Sequence, residues 1–102
     1  MLPKKEKQAQ LIADIIFHEM SLPINLGVSA KKTFGPNLWC FYRNQTIILE
    51  HYCFLSARGK NIRNIVYGTT KEEFVKQLLE RDPTQFLHGM YGKYQHGSRR
   101  DT

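Results

Sequence analysis

Three groups of residues in this chain have side chains and spacings that could support chemistry. The stretch "SARGKNIRNIVYG" sets Arg58, Lys60 and Arg63 around Gly59 with no acid among them. Three cations on a short segment suit phosphate, and a glycine lets the backbone come close to it. The stretch "LWCFYRNQTIILEHYCFL" gathers Trp39, Phe41, Tyr52 and Phe54 beside Arg43. Aromatic rings flanked by cations stack and steer unpaired nucleobases. The same stretch carries Cys40, His51 and Cys53, ligand types that zinc accepts. It has no CxxC or HxxxH spacing and no fourth ligand, so no metal and no cofactor is expected.

Catalytic patterns are sparse. No paired carboxylates, glycine-rich phosphate loop or nucleophile motif occurs. Glu50 and His51 are adjacent, and adjacent residues of a strand point to opposite faces. An RNA-cleaving site built on His51 with Arg58 or Lys60 is the one enzymatic arrangement these residues suggest. The expectation is a protein that is not an enzyme.

The elements that position these groups follow from periodicity. Residues 3–20 read as a helix, with Pro3 in its first turn and Leu11, Ile12, Ile15, Ile16 and Met20 on one stripe. "SLPINLG" ends it through Pro23 and Gly27. Residues 28–36 fit either a short helix or an edge strand. Two runs rich in aromatic and β-branched residues then flank "NQ", a hairpin pattern. A two-residue loop pairs Arg43 with Thr46, Phe41 with Ile48 and Trp39 with Glu50. One hairpin face then holds Trp39, Phe41, Arg43, Thr46, Ile48, Glu50, Tyr52 and Phe54. The other holds Leu38, Cys40, Tyr42, Ile47, Leu49, His51, Cys53 and Leu55.

"IRNIVYG" reads as a third strand, which leaves "SARGKN" as the loop before it. Thr70 with Glu73 three residues on is a capping box. Asp82-Pro83 opens a last helix carrying Phe86, Leu87, Met90, Tyr91 and Tyr94. The fold class is α+β: a small antiparallel sheet, a hairpin plus a third strand, packed with an N-terminal helix and two C-terminal helices. Residues 1–95 form a single basic domain, and 96–102 are expected to be a disordered basic tail.

Helix, three strands, helix is an order that resembles the double-stranded-RNA-binding domains. The resemblance is one of topology. That family opens its last helix with lysines that grip phosphate, whereas this chain has "TTKEEFVK", with Glu72 and Glu73 after Lys71. No residue is carried over from it. A winged-helix arrangement, with a second helix near 29–34 and the hairpin as wing, leaves little room for a recognition helix.

The bulk numbers agree with one small domain. The chain has 102 residues, 41% hydrophobic and 24% charged, with net charge +6. The excess sits in residues 20–69, where Lys31, Lys32, Arg43, Arg58, Lys60 and Arg63 face Glu50 alone. Such a field favours polyanions. No apolar run approaches the ~20 residues that span a bilayer, and two cysteines make no disulfide framework. A cytoplasmic protein without a membrane partner is expected.

Two readings of the aromatics stay open. They are core under helices or a second copy of the chain, or they are a stacking surface. The loop cations likewise either keep an edge soluble or form a finger that contacts phosphate. The expected function is non-enzymatic nucleic-acid binding through Lys31, Lys32, Arg43, Arg58, Lys60, Arg63 and Trp39. DNA is favoured over RNA on the general abundance of small basic DNA-binding proteins. The alternative is an interaction or inhibitor module that binds an acidic or nucleic-acid-like protein surface. The two apolar hairpin faces leave a homodimer open.

Overall fold

The computed structural model describes residues 3–22, 29–55 and 60–95. The breaker residues Pro23 and Gly27, the loop residues Arg58 and Gly59, and the tail 96–102 lie outside the described residues.

Helix α1 spans Lys4–Glu19 and turns Ala9, Ile12, Ala13, Ile15 and Ile16 into the core. Its end is a Schellman arrangement. Ser21 N donates to His18 O at 3.2 Å and Leu22 N to Phe17 O at 2.9 Å, with Ser21 at φ 55°. The left-handed position that glycine usually fills is here a serine.

Four strands follow: β1 (Ala30–Gly35), β2 (Leu38–Arg43), β3 (Thr46–Leu55) and β4 (Lys60–Gly68). They pair antiparallel in chain order, β1-β2-β3-β4. The β2–β3 register pairs Arg43 with Thr46, Phe41 with Ile48 and Trp39 with Glu50. Asn44 and Gln45 both have positive φ, 50° and 61°. That is the twist a two-residue hairpin needs.

The sheet therefore has four strands rather than three. Residues 30–35 resolve the helix-or-strand ambiguity as an edge strand, which removes the second helix that a winged-helix arrangement requires. Alternation along β1 turns Phe34 inward with Ala30 and Lys32, and the register shifts between Thr33 and Gly35. Phe34 is fully buried, with its ring 5.2 Å from that of Tyr94.

Helix α2 (Lys71–Leu79) starts as the capping box predicts, with Glu73 N donating to Thr70 Oγ1 at 3.1 Å. Its first turn lies directly on β4, because a Cβ on Gly68 would meet Phe74 N at 2.8 Å. Asp82 caps α3 (Pro83–Gly89) by accepting from Thr84 N at 3.1 Å. The expected last helix is broken. Met90 is extended, with φ −78° and ψ 153°, and a short α4 (Gly92–Gln95) follows. At the break Tyr91 N donates to Phe34 O at 2.8 Å. The helix yields there to a bond that satisfies the exposed edge of β1.

All four helices contribute to one layer on one side of the sheet. Leu38, Cys40, Tyr42, Ile47, Leu49, His51 and Val66 face it and are buried. The ladder alternation then fixes the remaining set on the other face.

Gly35 marks the tightest contact between the layers. A Cβ there would fall inside the Gly89 carbonyl oxygen. Gly35→Ala is expected to lower stability by about 2–3 kcal/mol, because backbone must shift to admit the methyl group. Urea denaturation checks this; an unchanged midpoint would mean that the helical layer packs more loosely here than described.

Candidate nucleic-acid interface

The face away from the helices carries Lys31 and Thr33 from β1, and Trp39, Phe41 and Arg43 from β2. Strand β3 adds Thr46, Ile48, Glu50 and Tyr52, and β4 adds Arg63, Ile65 and Tyr67. Lys31, Arg43, Arg63 and Tyr67 are exposed, and the aromatic and aliphatic residues between them are half-buried. Tyr67 is 49% exposed. The reading of Trp39 and Phe41 as core beneath helices does not hold within this chain, since the helices took the opposite face.

Two substructures order this surface. Phe41 is bracketed by cations: Lys31 Nζ lies 5.4 Å and Arg43 Cζ 6.0 Å from the ring centre. Such contacts hold long cationic side chains over a ring while their heads stay wet. The second substructure is a polar tether. Trp39 Nε1 donates to Glu50 Oε1 at 2.9 Å, and Arg63 Nε donates to Glu50 Oε2 at 3.0 Å. The Glu50 side chain is 13% exposed and that of Arg63 is 55% exposed. Trp39 is thereby fixed in orientation, with its ring 5.4 Å from that of Tyr52 and tilted by 35°. Register makes this possible, because Trp39 is opposite Glu50 and Tyr52 is opposite Arg63.

The expected site residues divide. Lys31, Trp39, Arg43 and Arg63 share the open face. Lys32 does not: it pairs across the strand with Cys40, a residue of the covered face, and its Nζ lies 3.7 Å from Glu19 of α1. Strand alternation separates it from Lys31, so the two neighbouring lysines cannot grip one ligand together. Lys60 opens β4 opposite Leu55. Arg58 and the tip of the expected finger lie outside the described residues. Tyr67 and Ile65 belong to the face although sequence reasoning had not placed them there. The alternation Arg63, Ile65, Tyr67 carries that signal, but only once the β3–β4 register is known.

The covered face holds the other reactive groups. Cys40 is fully buried, and burial pushes its thiol up to about 12, which makes it inert. His51 is also buried, its ring 5.5 Å from that of Phe86 and close against the Gly89 backbone. It is thus on the opposite side of the sheet from Arg43 and Arg63. Among the described residues no three His, Cys, Asp or Glu side chains converge as a metal cage. Lys71, the one residue at the place of the phosphate-gripping lysines, pairs with Asp14 and lies 5.8 Å from the Phe17 ring centre.

A hollow of about 390 Å³ opens between Tyr67 and α2, but Glu73, Lys76 and Glu80 line it with mixed charge. The open face itself is dished at its centre by a cavity of about 210 Å³ between Phe41, Ile48, Ile65 and Tyr67. No protein-family model, curated protein or solved structure matches this chain.

Burial holds the His51 imidazole below its ordinary value. The unfolded chain therefore takes up this proton first, near pH 6.5. The contribution of His51 to stability is complete above that pH and falls as pH drops toward the lower folded value, where it levels off. Denaturation midpoints measured between roughly pH 7 and pH 5 are expected to decline in the wild type and to decline less in His51→Leu. Equal slopes would place the loss on other groups.

Proposed function

We propose that this protein binds single-stranded nucleic acid on the open face of its sheet and is not an enzyme. One observation carries the reading. A contiguous aromatic surface, Trp39, Phe41, Tyr52 and Tyr67, is left uncovered by the described helices and is rimmed by Lys31, Arg43 and Arg63. An exposed apolar patch of this kind marks an interaction site, and its rim selects for negative charge. Unpaired bases offer faces to stack upon, whereas a duplex offers only edges and phosphates. Glu50 does not spoil the field, because Arg63 neutralises it.

The mechanism is two-part. Phosphates are drawn to the rim cations, a salt-sensitive step that carries no sequence information. Bases then settle on the rings, with Trp39 already held by Glu50 so that little side-chain freedom is lost on binding. Lys31 and Arg43 are likewise pre-positioned over Phe41. The fold has no described group dedicated to a ribose 2′-hydroxyl, so DNA and RNA strands are to be compared directly. A partner of another kind, an acidic protein surface or a second copy of this chain, is the outcome the tests below exclude or establish.

Trp39 fluorescence is expected to change on adding a single strand, and Trp39→Ala to weaken binding by about 1–3 kcal/mol while the domain stays folded. If Lys31 and Arg43 act alone, Arg63 being held by Glu50, log K should fall with log salt at a slope of roughly −1.4, about −0.7 per contact. A steeper slope assigns contacts to Arg58 and Lys60 as well. Absence of binding at low salt, together with a dimer in sedimentation, would replace the reading with self-association. A stability loss of about 3–5 kcal/mol in Trp39→Ala would make Trp39 a structural residue.

A further inference from the structure

The geometry points to a guanine-selective subsite at the centre of the open face, in which Glu50 reads the Watson–Crick edge of one base. The inference rests on the single-strand reading above and deepens it. The subsite is the cavity of about 210 Å³ in the sheet's exposed surface. Its floor is Ile48 and Ile65, which are neighbours across β3 and β4 through Glu50 and Tyr67. Phe41 and Tyr67 supply aromatic walls, and Glu50 contributes its carboxylate. Arg43 and Arg63 complete the lining with positive charge.

The carboxylate is what gives this cavity a preference. Arg63 offsets its charge but not its chemistry: the carboxylate oxygens only accept, so they suit N–H donors and not phosphate oxygens, and the base belongs inside with the phosphate at the outer cations. Each oxygen of Glu50 already accepts one hydrogen bond, Oε1 from Trp39 Nε1 and Oε2 from Arg63 Nε. A carboxylate offers about four lone-pair sites, so each oxygen keeps one. The two existing bonds fix the group's orientation, and both oxygens keep acceptor capacity. The complementary ligand edge needs two neighbouring N–H donors. Among the common bases guanine alone has them, N1–H beside the N2 amino group. Adenine and cytosine each set an amino group beside an acceptor nitrogen. Thymine and uracil flank a single N–H with two carbonyls that the carboxylate repels.

Arg43 provides the competing route to guanine, through the O6 and N7 acceptors that arginine commonly reads. The two routes use opposite edges of the base, so ligand analogues separate them without altering the protein. Inosine keeps N1–H, O6 and N7 but lacks the N2 amino group. 7-Deazaguanine keeps both donors but lacks N7.

The experiment measures wild-type affinity for thymidylate strands of about ten nucleotides that carry guanine, adenine, cytosine, inosine or 7-deazaguanine at one central position. Guanine is expected to bind on the order of tenfold tighter than adenine or cytosine. Inosine should lose most of that gain and 7-deazaguanine should keep it. Glu50→Gln is expected to erase the preference, so that the guanine strand binds the variant no tighter than the adenine or cytosine strand. If all strands bind wild type alike, the subsite is overturned and the single-strand reading stands. If 7-deazaguanine loses the gain and inosine keeps it, the Glu50 assignment is overturned in favour of Arg43. If no strand binds, both the subsite and the reading beneath it fall.

Discussion

The sheet of this protein has two apolar faces and a single helical layer to cover them. That imbalance organises the rest of the structure. Helices α1 to α4 bring Ile12, Ile15, Ile16, Phe74, Leu78 and Phe86 onto Leu38, Leu49 and Val66, and in doing so they commit every alternate residue of the strands to the opposite surface. The contact is close enough that Gly35 and Gly68 admit no side chain between sheet and helix. A residue such as Trp39 is therefore outside because Leu38 and Cys40 are inside. The open face is a consequence of where the core formed, and its composition is what the proposed function rests on.

Aromatic residues on an open sheet face invite aggregation. Here the surface is managed with charge: two cations lie over Phe41, and Glu50 tethers Trp39 and Arg63 through its two oxygens. The β1 edge receives a hydrogen bond from Tyr91, at the point where the last helix is broken. Under the proposed function these same devices would serve binding, since they hold side chains in place at the surface before a ligand arrives.

Much of this was legible before the structure. The "NQ" turn set the hairpin register, and register with alternation gave both faces correctly, from Trp39 opposite Glu50 to Arg43 opposite Thr46. The capping box at Thr70 and the Asp82-Pro83 start were local signals and appear as such. What was not legible depended on distant contacts. Residues 30–35 carry little strand propensity of their own and become β1 by pairing with β2. That pairing turns Lys32 toward Glu19 and away from Lys31, which charge counting along the chain has no means to reveal. The break at Met90 falls between Gly89 and Gly92, which weaken the helix locally, but its bond from Tyr91 N to Phe34 O joins residues far apart in sequence. Tyr67 entered the site only through the β3–β4 register, which no short turn specifies.

The central claim is that the open face, and not the helical side, meets nucleic acid. Ultraviolet crosslinking of the protein to a halogenated single strand, followed by mass-spectrometric identification of the modified residues, addresses it most directly. Trp39, Phe41, Tyr52 and Tyr67 are expected to carry the crosslinks. Crosslinks confined to side chains of the helical layer, such as Phe17 or Tyr91, would contradict the account.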